Sequence, residues 1–224
     1  MIKKIAVLGA GVMGSEIAQA ASAGGVDVVL LDSDPAALER GLAHVGKIGA
    51  RRVERGRMSA DEAAAILARV RPTADAADVG DCDLAIEAVP EVMDIKRTVF
   101  GVLDKALPAG AILASNTSGL SFSELAATTG RPDRVVGLLF FIPASAMKLV
   151  EVIRGSSTSE ATLAEAEEFA KALGKVPVRV RECPGFLVNR ILVRAMVEAY
   201  REAAAIGAGM AEADRAVVDA GPAP

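Results

Sequence analysis

The sequence predicts an α/β protein, a doubly wound and mostly parallel sheet followed by a short C-terminal helical appendage. Three observations carry this expectation. Short apolar runs alternate with helical segments through residues 1–183, the pattern of strands joined by crossover helices. The first apolar run leads straight into Gly9-Ala10-Gly11-Val12-Met13-Gly14 and then a helix. The alternation stops at Pro184-Gly185, a pair that punctuates structure, so residues 184–224 are expected to form a separate helical segment.

Taken in order, Ile5–Leu8 is a short β run, and an amphipathic helix continues past the glycines to about Ser22. Val26–Leu31 forms the second strand and ends on Asp32. A long charged helical region runs from about Pro35 to Arg57, with Asp34 beside the proline as its cap. Ser59 opens another helix, and Glu62 three residues later completes a capping box. Leu84–Glu87 and Ile112–Ser115 read as strands around a helix from about Val92 to Ala106. Val135–Phe141 is continuously apolar, hence a central strand buried on both faces, and Lys148–Ile153 follows as its neighbour. Phe140, Phe141, Met147 and Leu149 are assigned to the core. Helix Ala161–Leu173 and strand Val176–Val180 complete the sheet. Past Pro184 a long helix extends to about Ile206 and a short one covers Ala211–Asp219.

Composition narrows the function classes. With 52% hydrophobic and 24% charged residues, the chain is neither disordered nor fibrous. A formal charge of −4 offers no general attraction for nucleic acid or an anionic membrane, and no apolar run is long enough to span a bilayer. The opening residues imitate a signal peptide, but glycines interrupt the apolar stretch and Glu16 closes it early. Cys82 and Cys183 are far apart and form no CxxC, which suits a reducing, cytoplasmic setting. The chain has a single histidine, His44, and no metal is expected.

The glycine motif is the strongest local signal and makes the expected sheet Rossmann-type. Gly9 permits the tight turn, Gly11 lets main chain approach a diphosphate, and Gly14 lets helix and strand pack closely. The N–H groups of Val12, Met13 and Gly14 then open the helix toward phosphate oxygens. Asp32, 18 residues past Gly14 at the end of the second strand, is placed to accept from the ribose hydroxyls. Its charge would repel a 2′-phosphate, so the expected cofactor is NAD rather than NADP.

Further motifs follow in order: Ser115-Asn116-Thr117-Ser118, Gly137-Leu138-Leu139-Phe140-Phe141-Ile142-Pro143, Met147-Lys148-Leu149-Val150-Glu151 and Pro184-Gly185-Phe186-Leu187-Val188-Asn189-Arg190. Together with the glycine loop, these make the whole chain resemble the NAD-dependent L-3-hydroxyacyl-CoA dehydrogenases. The resemblance implies a Rossmann-type domain and a helical domain that builds a dimer and half of the cleft. It implies that Glu91, Lys96, Asn116 and Ser118 lie on the cofactor's path, with Glu91 and Lys96 on the nicotinamide side. It also implies that Ser118 stands near the reacting oxygen, that Glu151 orients the catalytic histidine, and that Asn189 is the active-site asparagine. For Ser118, a turn-capping serine is the other reading.

Two departures from the family pattern stand in the middle motif. Leu139 occupies the place of the histidine that takes the hydroxyl proton, and Ile142 that of an asparagine which contacts the cofactor. Loss of a general base costs about 10²- to 10⁴-fold in rate. His44 lies far along the chain from these motifs and does not replace it. Glu151 then stands as a weak replacement base or as a silent carboxyl. The family's helical domain continues for several helices where this chain ends at Gly221-Pro222-Ala223-Pro224, so residues 184–224 are expected to be a truncated version of it. Phe186, Leu187, Ile191, Leu192, Met196, Val197 and Tyr200 give its long helix more than one apolar side, which predicts a homodimer through the residues after Pro184. A frayed, partly exposed helix is the alternative. Lys47, Arg51, Arg52, Arg55 and Arg57 form a basic run in the neighbourhood that holds coenzyme A in relatives. Arg51 and Arg55 are the candidate phosphate ligands, against a solvated face balanced by Glu54. Three readings of function follow: an impaired 3-hydroxyacyl-CoA dehydrogenase, a silent NAD-binding module, or a diverged or engineered reductase of a non-CoA carbonyl or imine.

Overall fold

The computed structural model describes residues 2–220. The expected ending at Gly221–Pro224 lies outside the described residues. The chain divides into two compact units, with the boundary between Glu182 and Cys183.

The first unit is built on one eight-stranded sheet. Its elements are β1 (Lys4–Leu8), α1 (Val12–Ala23), β2 (Asp27–Leu31), α2 (Pro35–Glu54), α3 (Ala60–Ala68), β3 (Val70–Thr73), β4 (Leu84–Glu87), α4 (Met93–Ala106), β5 (Ile112–Ser115), α5 (Phe122–Ala126), β6 (Val135–Phe140), β7 (Leu149–Arg154), α6 (Glu160–Ala172) and β8 (Val176–Arg181). The strand order is β3-β2-β1-β4-β5-β6-β7-β8. Every neighbouring pair is parallel except β6 and β7. The chain winds outward from β1 through β2 to β3, then returns to lay β4 on the other side of β1. That reversal opens a crevice beyond the carboxyl ends of β1 and β4, where doubly wound sheets bind their ligands.

The apolar strand runs are explained by burial on both faces. Alternate residues of β1 serve opposite cores: Ile5 and Val7 join α1 and α6 residues such as Ile17 and Phe169. Ala6 and Leu8 face Phe100 and Leu103 of α4 and Leu125 of α5. All six residues of β6 are buried. The local signals act as their chemistry dictates. Asp34 accepts from the Ala36 N–H at the start of α2, and Ser59 and Glu62 form both halves of the capping box on α3. Leu38, Gly41, Val45 and Gly49 are the buried stripe of α2, spaced at helical intervals.

Two elements carry no readable sequence signal. β3 holds Pro72 and exposed Arg71, and it becomes a strand because it lies at the sheet edge beside β2. α5 is a five-residue helix that depends on the Ser121 cap and the buried Phe122.

The second unit contains α7 (Val188–Ala205) and α8 (Met210–Ala220). Tyr200 donates its hydroxyl to Asp214, joining the two helices at 2.7 Å. No residue of α7 is buried.

Candidate functional site

The first βα junction forms from the backbone upward. Gly9 has φ +96°, a left-handed conformation that a side chain would strain, and its N–H donates to the Leu31 carbonyl at 2.9 Å. A Cβ on Gly14 would stand 1.8 Å from the Gly9 carbonyl oxygen, so only glycine lets α1 approach the turn. Gly11 is different. Its φ is −68°, and a Cβ there would meet nothing within 4 Å. The missing side chain serves no packing within the chain and leaves the main chain open to a ligand. No side chain caps α1, so its first N–H groups face outward toward that opening. Asp32 closes the cradle. One carboxylate oxygen accepts from the Ala10 N–H at 2.8 Å and the other from the Asp34 N–H at 3.0 Å, which fixes the acid at the tip of the junction. The donor groups, the open Gly11 and the placed carboxylate fit the diphosphate and adenosine ribose of NAD.

A polar cluster lies across the crevice, between the ends of β4 and β5. Glu87 and Lys96 are both buried and pair at 2.6 Å. The second Glu87 oxygen accepts from the Ser115 hydroxyl at 2.6 Å. Lys96 also reaches Glu91 at 3.2 Å, and Glu91 accepts from the Ser118 N–H at 3.1 Å and from the Thr117 hydroxyl. The Asn116 side-chain oxygen accepts from the Phe140 N–H at 2.8 Å, tying this loop to the end of β6. Glu91, Lys96, Asn116 and Ser118 are therefore brought to one place. Sequence reasoning missed Glu87. The available signal was an acid closing the otherwise apolar strand Leu84-Ala85-Ile86.

In the antiparallel pair of β6 and β7, Leu139 stands directly opposite Glu151. Both are buried, Leu139 at 4% exposure and Glu151 at 0%. Ile142, by contrast, is 61% exposed. His44 sits on α2 with Nε2 3.3 Å from Glu16 of α1, whose other oxygen accepts from the Ser145 N–H at 3.1 Å. The imidazole is thus occupied with α1, away from the β6 strand. Arg51 and Arg55 are exposed on α2 and at its end, and among the described residues neither is paired with a carboxylate. Asn189 lies in the first turn of α7, in the second unit.

Residues 4–183 match the family model described as 3-hydroxyacyl-CoA dehydrogenase, NAD binding domain. The chain belongs to this family. It is 45% identical over 196 residues to the 3-hydroxybutyryl-CoA dehydrogenase of Clostridioides difficile, an alignment covering 88% of this chain and 70% of that protein. The crystal structure of (S)-3-hydroxybutyryl-CoA dehydrogenase from Ralstonia eutropha superposes with a TM-score of 0.91 at 38% identity, covering 95% of this chain and 75% of that one. The fatty acid oxidation complex subunit alpha of Pseudomonas entomophila is 42% identical over 191 residues, 85% of this chain, of which that stretch is 27% of the longer protein. The family domain accounts for the doubly wound sheet and for NAD as the cofactor, and its matched residues contain both the glycine cradle and the Glu87 cluster. Among the described residues, no helix is long and apolar enough to cross a membrane.

Proposed function

We propose that this chain transfers hydride between NAD and a 3-hydroxyacyl- or 3-oxoacyl-CoA ester, at a rate lowered by Leu139. The observation that supports this reading most is the coexistence of the Gly9–Gly14 and Asp32 cradle with the Ser118–Glu91–Lys96 cluster on the two sides of one crevice. Bound NAD supplies the hydride acceptor. The exposed Ser118 hydroxyl donates to the substrate oxygen, and Arg51 and Arg55 take the coenzyme A phosphates. The proton on the substrate hydroxyl has no imidazole at position 139, where the side chain is buried and apolar. Glu151, directly opposite, is the ionisable side chain that Leu139 faces across the strand pair.

A silent NAD-binding module is the second reading, favoured by the same buried Leu139. NADH oxidation with acetoacetyl-CoA separates the two. Under the first reading turnover is slow but measurable, and Leu139→His combined with Ile142→Asn raises it by about 10²- to 10⁴-fold. Tight NADH binding with no turnover in either protein would leave the silent module. The proposed protein is a cytoplasmic homodimer. Its two cysteines are free, which suits a reducing compartment, and α7 of the second unit exposes Leu192, Val193, Met196 and Val197.

A further inference from the structure

We propose that Glu87 is a positioning residue, which sets the nicotinamide half of the dinucleotide site by locking together the two loops that follow β4 and β5. This rests on the reading of the crevice as an NAD site. The cradle at β1 and the acid at the end of β2 take the diphosphate and adenosine, so the rest of the dinucleotide extends the other way. In the strand order that direction crosses the reversal onto the ends of β4 and β5. The loops there are held through Glu87. Its Oε1 accepts from the Val89 N–H at 2.7 Å and from the Lys96 ammonium at 2.6 Å. Its Oε2 accepts from the Ser115 hydroxyl at 2.6 Å, and the Ser115 oxygen in turn accepts from the Thr117 N–H at 3.1 Å. Lys96 passes the link back to the Val89 carbonyl at 3.2 Å and on to Glu91, which holds the Ser118 N–H.

One carboxylate therefore governs both loops. It sits with 0% exposure and is linked through Lys96 to the exposed Glu91 and Ser118. Buried polar groups of this kind are worth most when every member is satisfied, so disturbing the hub should loosen both branches at once. Glu87→Gln keeps the shape but removes the charge that pairs with the Lys96 ammonium and leaves one acceptor oxygen where there were two, so one of the two branches loses its acceptor. Lys96 then shifts toward Glu91 and the Ser118 main chain loses its fixed anchor.

Paired titrations test this, using NADH and ADP-ribose, which lacks the nicotinamide ring, on the wild type and Glu87→Gln. NADH affinity is expected to fall about tenfold, the scale of one hydrogen bond to a charged group, while ADP-ribose affinity holds within about twofold. The emission of bound NADH is expected to move toward that of the free nucleotide. Equal weakening of both ligands would make Glu87 a merely structural residue and overturn the proposal. So would unchanged NADH binding, or a wild type that binds NADH no tighter than ADP-ribose. Should Glu87→Gln not fold, Ser115→Ala cuts one branch alone and is expected to weaken NADH about threefold, again sparing ADP-ribose; an equal or absent loss overturns the proposal. A wild type that binds neither nucleotide would instead refute the NAD reading itself.

Discussion

At the scale of single residues, the three glycines of the first junction have different physical duties, and these can be separated by adding one methyl group. Gly14 is a packing residue, because its Cβ would lie 1.8 Å from a backbone oxygen that cannot move without shifting the turn. Gly11 is a ligand-facing residue whose backbone angles suit alanine and whose Cβ would meet nothing. Gly11→Ala is therefore expected to leave stability within about 0.5 kcal/mol of the wild type while NAD affinity falls at least about tenfold. Gly14→Ala is expected to lower both. Thermal denaturation beside NADH titration reads the contrast, and a Gly11→Ala protein with unimpaired binding would mean that no diphosphate approaches there. Leu139 is the counterpart on the chemical side. Its register opposite Glu151 gives an introduced imidazole a carboxyl partner across the strand pair, which is why restoring histidine is expected to matter more than restoring asparagine at the exposed Ile142.

At the scale of elements, the strands that are buried on both faces were legible because burial forces an uninterrupted apolar run, as in Val135–Phe140. Helices announced themselves through caps, with Asp34 and Ser59 each meeting the N–H that its position predicts. β3 and α5 were not legible, since four residues with a proline and five residues with one buried aromatic acquire their state from neighbours. The site divides the same way. The glycine loop and Asp32 are local in sequence, whereas the Glu87 hub joins residues as far apart as Glu87 and Ser115, a relation that no spacing rule encodes. One element junction can be tested through pH. Arg134, just before β6, grips Glu165 of α6 at 2.8 and 3.1 Å and also donates to the Gly110 carbonyl. That hydrogen bonding holds the Glu165 carboxyl below its ordinary value. A depressed folded value contributes stability above the unfolded value, and the contribution disappears as the pH falls through the folded one. Glu165→Gln should thus be less stable than the wild type near neutrality, by at most about 1 kcal/mol because the side chain is 48% exposed. In denaturant titrations the difference should begin to shrink as the pH falls through the ordinary carboxylate range and should vanish only below the depressed folded value. A gap that persists in acid would show that shape, rather than charge, joins α6 to β6.

At the scale of the whole molecule, the two units differ in how far each satisfies itself. The first has cores on both faces of its sheet and carries every residue of the proposed NAD cradle. The second leaves α7 with Ile191 62%, Leu192 52% and Val193 57% exposed, and Met196 and Val197 at 45% and 39%. At helical spacing Leu192, Val193, Met196 and Val197 fall on one broad side of α7, an apolar face of the sort that monomers rarely leave in water. A second copy presenting the same helix would cover it by a self-complementary contact, and this is the basis for the proposed homodimer. Sedimentation equilibrium should accordingly find a dimer, and replacing Leu192 and Met196 together by glutamate should give a monomer, because two buried like charges would face their own images across the axis. NADH affinity should survive that change, since no residue of the cradle or of the Glu87 cluster lies on α7. A wild type that sediments as a monomer would exclude α7 as a dimer surface. A monomeric variant that also loses NADH would show that the first unit requires assembly to hold its cofactor.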